Sequence, residues 1–300
     1  MASQRDVKNK IASVKNIQKI TRAMEMVAAA RLRRAEQRIA ALRPYADAIA
    51  RMTRQAAAAA GAEALRLPLL REHETQSTAA LLLVTGDRGL AGGFNSQIIR
   101  AGVRLSADLA EDGLQSNWYA AGRRGVSSLA FRGHELSGSY TGFADKPAYA
   151  DARTIADDLM QAYVDGHVDR VDMIYNSYVS PLTQHVTQQR LLPLTGKALV
   201  GEDEDEAAAP APRSRATVEY EPDPEKILRR LVPDYIEISI YRALVESAAG
   251  FFGAQMTAMR SASENAGEII TEYTLQMNRA RQAEITQEIM EVVAGAEGLT

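Results

Sequence analysis

The last 67 residues, from Asp234 to Thr300, place the strongest constraint on how this chain can fold. They contain no proline, and their five glycines are scattered rather than clustered as a turn requires. As one α-helix they would extend about 100 Å, several times the diameter of any domain that this chain could form. Such a helix cannot be buried in its own domain and needs a partner.

Apolar residues recur along this segment at helical spacing and predict one apolar seam. They are Leu244, Ala248, Phe252, Met256, Met259, Ala266, Ile270, Tyr273, Met277, Ala280, Ile285, Ile289 and Val292.

The N-terminal segment supplies a partner for that seam. From Ser3 to Arg43 it contains neither proline nor glycine. Its apolar residues follow three-four spacing: Ile17, Ile20, Met24 and Val27, continued by Ala28, Leu32, Ala35, Ile39 and Leu42. Pro44 predicts a kink near Arg43, after which an alanine-rich stretch continues the helix to Ala60.

Charge also favours pairing of the two ends. Residues 1–60 carry 13 Lys or Arg against 4 Asp or Glu, a balance of +9, whereas residues 261–300 carry 2 against 7, a balance of -5. The simplest arrangement is an antiparallel coiled coil. In the alternative, each helix packs separately on the central domain, but their lengths count against full coverage there.

The region between the long helices alternates strands and helices, which predicts a small, mainly parallel, Rossmann-like α/β domain with right-handed crossovers. The predicted strands are Ala79–Thr85, Trp118–Ala121 and Val171–Val179, with an edge strand between Pro181 and Leu194; the predicted helices run through Ile98–Leu109 and Ala150–Val164.

These patterns divide the chain into three parts. Residues 1–60 form the N-terminal coiled-coil helix, residues 61–219 form the α/β domain, and residues 220–300 form a foot and the C-terminal coiled-coil helix. An acidic and then Ala/Pro-rich loop at 201–216 should be solvated.

Composition excludes several classes of function. A hydrophobic share of 46% with 24% charged residues is typical of a folded chain, and the lack of cysteine excludes disulfides, thiol nucleophiles and thiolate metal sites. The sequence shows neither a signal-peptide pattern nor an apolar run of about 18 residues, so we expect a soluble cytoplasmic protein.

The glycine-rich turn GDRGLAGGFN, from Gly86 to Asn95, stands between a strand and a helix, where phosphate-binding loops occur. It lacks the lysine of a P-loop and the glycine spacing of the dinucleotide fingerprint. We interpret it as a tight turn in which Asn95 caps the next helix and Asp87 pairs with Arg88.

No catalytic, cofactor-binding or metal-binding residues are predicted. The four histidines share no metal-ligand spacing, and no serine stands in a nucleophile-elbow pattern. Glu264, Glu268 and Glu272 repeat every four residues, which indicates a solvated helix face.

A basic band is the clearest candidate interaction site. Arg31, Arg34 and Arg38 share one helix face, with Lys19, Arg22 and Arg33 nearby. The band could pair with the acidic C-terminal helix, bind nucleic acid or face acidic loops of a partner protein. No interleaved aromatics or known nucleic-acid module support nucleic acid.

Three segments are distinctive: KIASVKNIQKITRAMEMVAAARLRRA near the N-terminus, the turn DRGLAGGFN and the C-terminal NRARQAEITQEIMEVVAGAEGL. Together they resemble the gamma subunit, the central-stalk rotor, of F-type ATP synthases. The resemblance covers nearly the whole chain, and ARQAEITQE is highly specific to that family.

The resemblance implies a non-catalytic shaft that couples rotation of a ring of c subunits to conformational change at catalytic sites on beta subunits. Its implied partners are the alpha and beta subunits, the epsilon subunit and the c ring, in a hetero-oligomer with one copy of this chain. The implied location is the cytoplasmic face of the bacterial plasma membrane, with peripheral attachment only through the complex. No cofactor and no nucleic acid are implied.

The resemblance also implies roles for individual residues. Those expected to contact alpha or beta subunits are Lys19, Arg22, Met24, Arg31, Arg34, Arg38, Arg281, Gln282, Thr286 and Glu288. Tyr220 and Glu221 are expected in the foot on the c ring and epsilon subunit. The tip from Ile289 to Leu299 would turn in an apolar sleeve.

This chain departs from the family pattern at Gly250–Gly253 (GFFG) and at Gln255, which leaves the lower-stalk contacts open. Two functions of other classes stay open on the residues alone. One is a coiled-coil adaptor that binds nucleic acid or protein through its basic helix, and the other is an α/β enzyme that binds a phosphorylated ligand at the Gly86 turn.

Overall fold

The computed structural model describes residues 4–194 and 223–297. The helices are α1 (Gln4–Ala60), α2 (Phe94–Glu111), α3 (Arg123–Phe131), α4 (Tyr149–Val164) and α5 (Pro224–Glu297), with a 3-10 helix at Gly61–Arg66. The strands are β1 (Thr78–Val84), β2 (Gln115–Ala121), β3 (Leu136–Tyr140), β4 (Arg170–Tyr178) and β5 (Gln184–Leu192).

The five strands form one sheet in the order β3-β2-β1-β4-β5. The first four are parallel, and β5 runs antiparallel to β4. Strand β1 lies at the centre, where nearly all of its side chains are buried, and its sequence TAALLLV is accordingly almost uninterrupted in apolar character. The predicted α/β class and all four predicted strands are confirmed, whereas α3 and β3 were not predicted.

Both long helices continue through a proline. Helix α1 runs uninterrupted past Pro44, so the prediction that helix resumes toward Ala60 is confirmed, and the kink near Arg43 stays a prediction. Helix α5 begins at Pro224 and passes through Pro233, so the predicted helix, which began at Asp234, was too short at its N-terminal end. Burial of the next turns accounts for the difference, since Leu228 and Val232 lie in the hydrophobic core.

The chain divides into two compact units. The first, called here the coil unit, comprises Met1–Ala30 and Gln255–Thr300; the second, the domain unit, comprises Arg31–Ala254. The core of the domain unit joins the sheet to the second half of α1 and the first half of α5. Its members include Ile49 and Ala56 of α1, Tyr163 of α4 and Ile240 of α5.

Two predicted features lie outside the described residues: the acidic loop at 201–216, and the foot residues Tyr220 and Glu221. Among the described residues, no helix combines the length and apolar character needed to cross a membrane.

Candidate functional site

The coil unit is an antiparallel helix pair. Lys10 Nζ lies 5.7 Å from the centre of the Tyr273 ring, and Gln18 Nε2 donates to the Ser263 carbonyl oxygen at 3.1 Å. Arg260 Nε donates to Glu25 Oε1 at 2.9 Å. The partner numbers fall along α5 as they rise along α1, so the predicted antiparallel pairing is confirmed.

The seam on α1 differs in part from the predicted one. Val7, Ile11, Thr21 and Ala28 are buried, and their positions fit a heptad repeat. The predicted members Ile17, Ile20 and Val27 are instead more than half exposed, and Met24 is half-buried. The sequence contains two stripes with three-four spacing, and spacing alone does not tell which stripe faces the partner helix.

On α5 the seam is buried only where α1 lies opposite. Met259 and Ala266 are buried and Tyr273 is half-buried, but every residue from 281 to 294 is exposed. Lys10 already lies opposite Tyr273, so the end of α5 runs past the start of α1. The predicted contact residues Arg281, Gln282, Thr286 and Glu288 all lie on this exposed end, as do the side chains of Ile285, Ile289 and Val292.

The basic residues of α1 have different environments. Lys19, Arg22 and Arg34 are exposed, and Arg38 is half-buried. Arg31 is bound within the domain unit: its Nη1 donates to Asp145 Oδ2 at 3.1 Å, and its guanidinium lies 5.7 Å from the centre of the Phe252 ring. The side chain of Arg31 nevertheless stays 41% exposed.

The glycine-rich turn is held by its own polar side chains. Asp87 accepts hydrogen bonds from three backbone amides: Arg123 at 2.9 Å, Gly142 at 3.0 Å and Ala144 at 3.1 Å. The predicted pair with Arg88 is therefore wrong, since Arg88 lies by Asp145 at 3.7 Å. The Asp87 carboxylate occupies the first turn of α3, the position at which a helix N-terminus would hold a phosphate.

Asn95 fastens the same turn and does not cap α2. Its Oδ1 accepts from the Gly86 amide at 2.8 Å, and its Nδ2 donates to the Arg88 carbonyl oxygen at 3.1 Å. Helix α2 begins one residue earlier, at Phe94, with Gly93 at the cap position. The capping prediction is wrong, because the Asn95 side chain bonds the backbone of the preceding turn at Gly86 and Arg88 instead of the first turn of α2.

Sequence reasoning missed Leu90 as a functional candidate. Its backbone has a φ of 64°, and its side chain is 63% exposed. A left-handed backbone is costly for a leucine, and such outliers cluster at functional sites. A signal was present in the sequence, since a large apolar residue stands there between small ones in a glycine-rich turn.

The segment that departs from the family pattern packs inside the domain unit. Phe251 meets Phe94 edge to face with ring centres 5.7 Å apart, and Phe252 lies under Arg31. A Cβ atom at Gly253 would come within 2.9 Å of the Pro181 carbonyl oxygen, so glycine allows the turn between β4 and β5 to approach α5.

The described histidines form no shared site. His73 Nδ1 lies 2.7 Å from Asp169 Oδ1, and its ring stacks on Tyr163 with centres 4.5 Å apart. His134 packs against Trp118. Within residues 4–194 and 223–297, no cluster of three histidine, aspartate or glutamate side chains is arranged to hold a metal ion.

Comparison with known proteins gives one consistent result. The family profile described as "ATP synthase" matches residues 3–299. The ATP synthase gamma chain of Rubrobacter xylanophilus is 42% identical over 299 residues, covering 100% of this chain and 99% of that protein.

Two solved structures have a similar fold. One is the central stalk and c ring of Tetrahymena thermophila mitochondrial ATP synthase, with a TM-score of 0.59 and 25% identity over 81% of this chain and 99% of that one. The other is from Euglena gracilis mitochondrial ATP synthase, with a TM-score of 0.68 and 14% identity over 99% of this chain and 94% of that one.

Proposed function

The chain belongs to the ATP synthase gamma-chain family and is the central-stalk rotor subunit of an F-type ATP synthase, and from this premise we propose how its residues couple rotation to catalysis elsewhere. The observation that carries the proposal is the end of α5, which continues beyond its pairing with α1 and exposes every side chain from 281 to 294. Exposure of its apolar side chains Ile285, Ile289 and Val292 is costly in water, which favours a surrounding partner for this end.

The coil unit turns inside the ring of alternating alpha and beta subunits. Exposed Ile17, Ile20 and Val27 form a second apolar stripe beside the seam and give the coil unit one distinctive side. As the coil turns, that side meets each beta subunit in sequence. A contact that differs between open and closed beta subunits shifts each site's nucleotide affinity.

Charged and polar side chains supply the contacts with that ring. On α1 these are Lys19, Arg22, Arg31, Arg34 and Arg38 together with Met24; on the exposed end of α5 they are Arg281, Gln282, Thr286 and Glu288. The arginines suit acidic loops, because a guanidinium binds a carboxylate through two parallel hydrogen bonds.

The domain unit faces the membrane side of the complex. There it would rest on the epsilon subunit and on the c ring, with Tyr220 and Glu221 in the foot. The complex would lie on the cytoplasmic face of a bacterial plasma membrane, because the 42% identical relative is bacterial. This chain would be attached only through its partners.

The subunit itself would perform no chemistry. Asp87 supports this, because its carboxylate occupies the α3 N-terminus that a phosphorylated ligand would need. The adaptor function that binds nucleic acid through the basic helix is not supported, since the family match covers residues 3–299.

Rotation provides the direct test. The chain has no cysteine, so a single Ser127→Cys substitution on the exposed face of α3 gives one attachment point for a light-scattering rod. In a complex with alpha and beta subunits fixed to glass, ATP should drive the rod around in one direction. Rods that stay still while the complex hydrolyses ATP would contradict the proposal, and the cysteine-free chain controls for non-specific attachment.

Met24→Lys tests the coupling contact. Met24 is half-buried beside the exposed stripe, and a lysine there adds a cation to an already basic surface. We expect ATP hydrolysis to persist while ATP-driven proton pumping in membrane vesicles falls. Equal pumping by variant and wild type would refute the assignment of Met24.

A further inference from the structure

Two side chains of α1, five positions apart, are each bound by a different part of the α/β domain. The first is Arg31, which binds the Asp145 carboxylate at 3.1 Å. The second is Glu36, whose Oε1 accepts the Tyr178 hydroxyl hydrogen at 2.6 Å. Asp145 follows β3 at one edge of the sheet, whereas Tyr178 ends β4 on the other side of β1.

These two contacts, Arg31–Asp145 and Glu36–Tyr178, are called grips here. Their positions restrict rotation of α1 about its own axis. Five residues along an α-helix correspond to about 140° around the axis. A turn of α1 in either sense would move both side chains away from partners that are fixed in the domain. The two contacts together therefore resist rotation more strongly than either contact alone.

The charges make the arrangement specific. Helix α1 offers a cation to a carboxylate at one grip and a carboxylate to a phenol at the other. If α1 turned so that Glu36 approached Asp145, two carboxylates would meet.

Helix α5 strengthens both grips. The Phe252 ring lies under the Arg31 guanidinium at 5.7 Å. Glu246, which is buried, accepts from the Tyr178 amide at 3.3 Å and from the Ser177 hydroxyl at 3.0 Å. Both long helices are therefore joined to the sheet at this level.

We propose that Arg31–Asp145 and Glu36–Tyr178 form a rotational lock that transmits torque between the α/β domain and α1. This inference rests on the rotor function. The four residues are positioning residues: they keep α1 from twisting against the domain while the shaft works against a load, and they take no part in the chemistry on the beta subunits.

The test changes only the domain side of each grip, with Tyr178→Phe and Asp145→Asn. Tyr178→Phe removes a hydrogen bond to a charged group, and Asp145→Asn removes the negative charge that attracts Arg31. The loss of the hydrogen bond should favour the open grip by about tenfold or more. Each variant is assembled into the full complex in inverted membrane vesicles. ATP hydrolysis is measured without a proton gradient, and ATP-driven proton pumping is measured against an increasing one.

We expect uncoupled hydrolysis to equal wild type, while pumping fails at a lower opposing gradient, more so in the double variant. Glu36→Gln keeps an acceptor for the Tyr178 hydroxyl and should retain most of the wild-type behaviour. A matched control is Tyr140→Phe, which removes another phenol–carboxylate bond of 2.6 Å, to Asp158, without touching α1.

Pumping by Tyr178→Phe and Asp145→Asn that fails at the same gradient as Tyr140→Phe would overturn the lock. Tyr178→Phe removes one oxygen atom, so the variant chain is expected to fold and assemble, and its melting temperature should match that of Tyr140→Phe. If the wild-type complex itself pumped no protons, the rotor function would fail instead, so the two failures are distinguishable.

Discussion

At the scale of single residues, the most densely bonded carboxylate described is Asp169, at the start of β4. It accepts from the Ser77 amide at 2.8 Å and from the Thr78 amide at 3.0 Å, and it lies 2.7 Å from His73. Burial by itself raises the pKa of Asp169, but these hydrogen bonds outweigh it and hold the pKa below its ordinary value. The carboxylate thereby fastens the segment that enters β1.

We predict that Asp169→Asn lowers the free energy of unfolding by about 1–3 kcal/mol at pH 7, because an amide replaces a buried charged acceptor. A folded-state pKa below the unfolded value of about 3.9 stabilises the protein above that pH, and the contribution is lost as pH falls through the folded pKa. The free energies of unfolding of the two chains in urea should therefore approach each other as the pH falls below about 4 and through the folded-state pKa. Asp157→Asn, at an exposed carboxylate, is the control and should change little at either pH.

Leu90 yields a second prediction at this scale. In Leu90→Gly, relief of the left-handed backbone opposes the greater entropy of glycine in the unfolded chain, so we expect the free energy of unfolding to change by less than about 1 kcal/mol. Assembly with alpha and beta subunits should nevertheless weaken, because an exposed apolar contact is removed. Leu182→Gly, at a leucine that is 77% exposed, is the matched control. Equal assembly of both variants would argue against a contact role for Leu90.

Side-chain hydrogen bonds between residues far apart in the chain were the part of the site that the sequence could not predict. Asp87 accepts amides from residues 36 to 57 positions away, and Glu36 meets a tyrosine 142 positions away. Local spacing says nothing about such partners. It therefore favoured the neighbour Arg88 for Asp87 and a helix cap for Asn95, and both were wrong.

At the scale of elements, side chains at the seam of α5 are buried where α1 lies opposite them and exposed where it does not. Side chains at the predicted seam positions are buried at Met259 and Ala266, half-buried at Met277 and exposed from Ile285 onward. A helix stabilised by tertiary packing should depend on residues that are packed and tolerate loss of those that are not.

We therefore predict that deletion of residues 289–300 lowers helical circular dichroism only by the share of the removed residues. The complex should form more weakly but still form. A seam substitution, Ala28→Asp, at a fully buried position, is the contrasting control and should melt the helix pair. Loss of all coiled-coil helicity in the truncated chain would contradict the prediction.

Predictability of the elements followed the strength of their patterns. Strand β1 was placed within one residue because a run of seven nearly all-apolar residues is typical of a strand buried on both faces. Strand β3, with the sequence LSGSY and a half-exposed edge position, carries almost no apolar signal, and α3 is only nine residues long. Helices α1, α2, α4 and most of α5 were predicted, but of two apolar stripes on α1 the sequence could not select the one that faces α5.

At the scale of the whole molecule, the charge asymmetry between the chain ends first suggests that charge pairs the two helices, but it serves association with partners instead. One described ion pair across the coil unit joins Arg260 of α5 to Glu25 of α1, opposite in polarity to the overall charge of the two ends. Pairing of the helices rests mainly on the apolar seam. The positive charge of α1 is then left to act on partners, where long-range attraction speeds association.

This division predicts different salt dependences for folding and for assembly. Raising NaCl from 0.02 M to 0.5 M shortens the screening length from about 20 Å to about 4 Å. Unfolding of the isolated chain in urea should change by less than about 1 kcal/mol, because exposed ion pairs contribute little. Association with alpha and beta subunits should slow steeply over the same range.

In Arg34→Gln/Arg38→Gln the salt dependence of association should become shallower, whereas Arg132→Gln, at an exposed arginine on the domain, should leave it unchanged. A steep salt dependence of unfolding would show instead that charge holds the two helices together, and the basic band would lose its assignment to the ring.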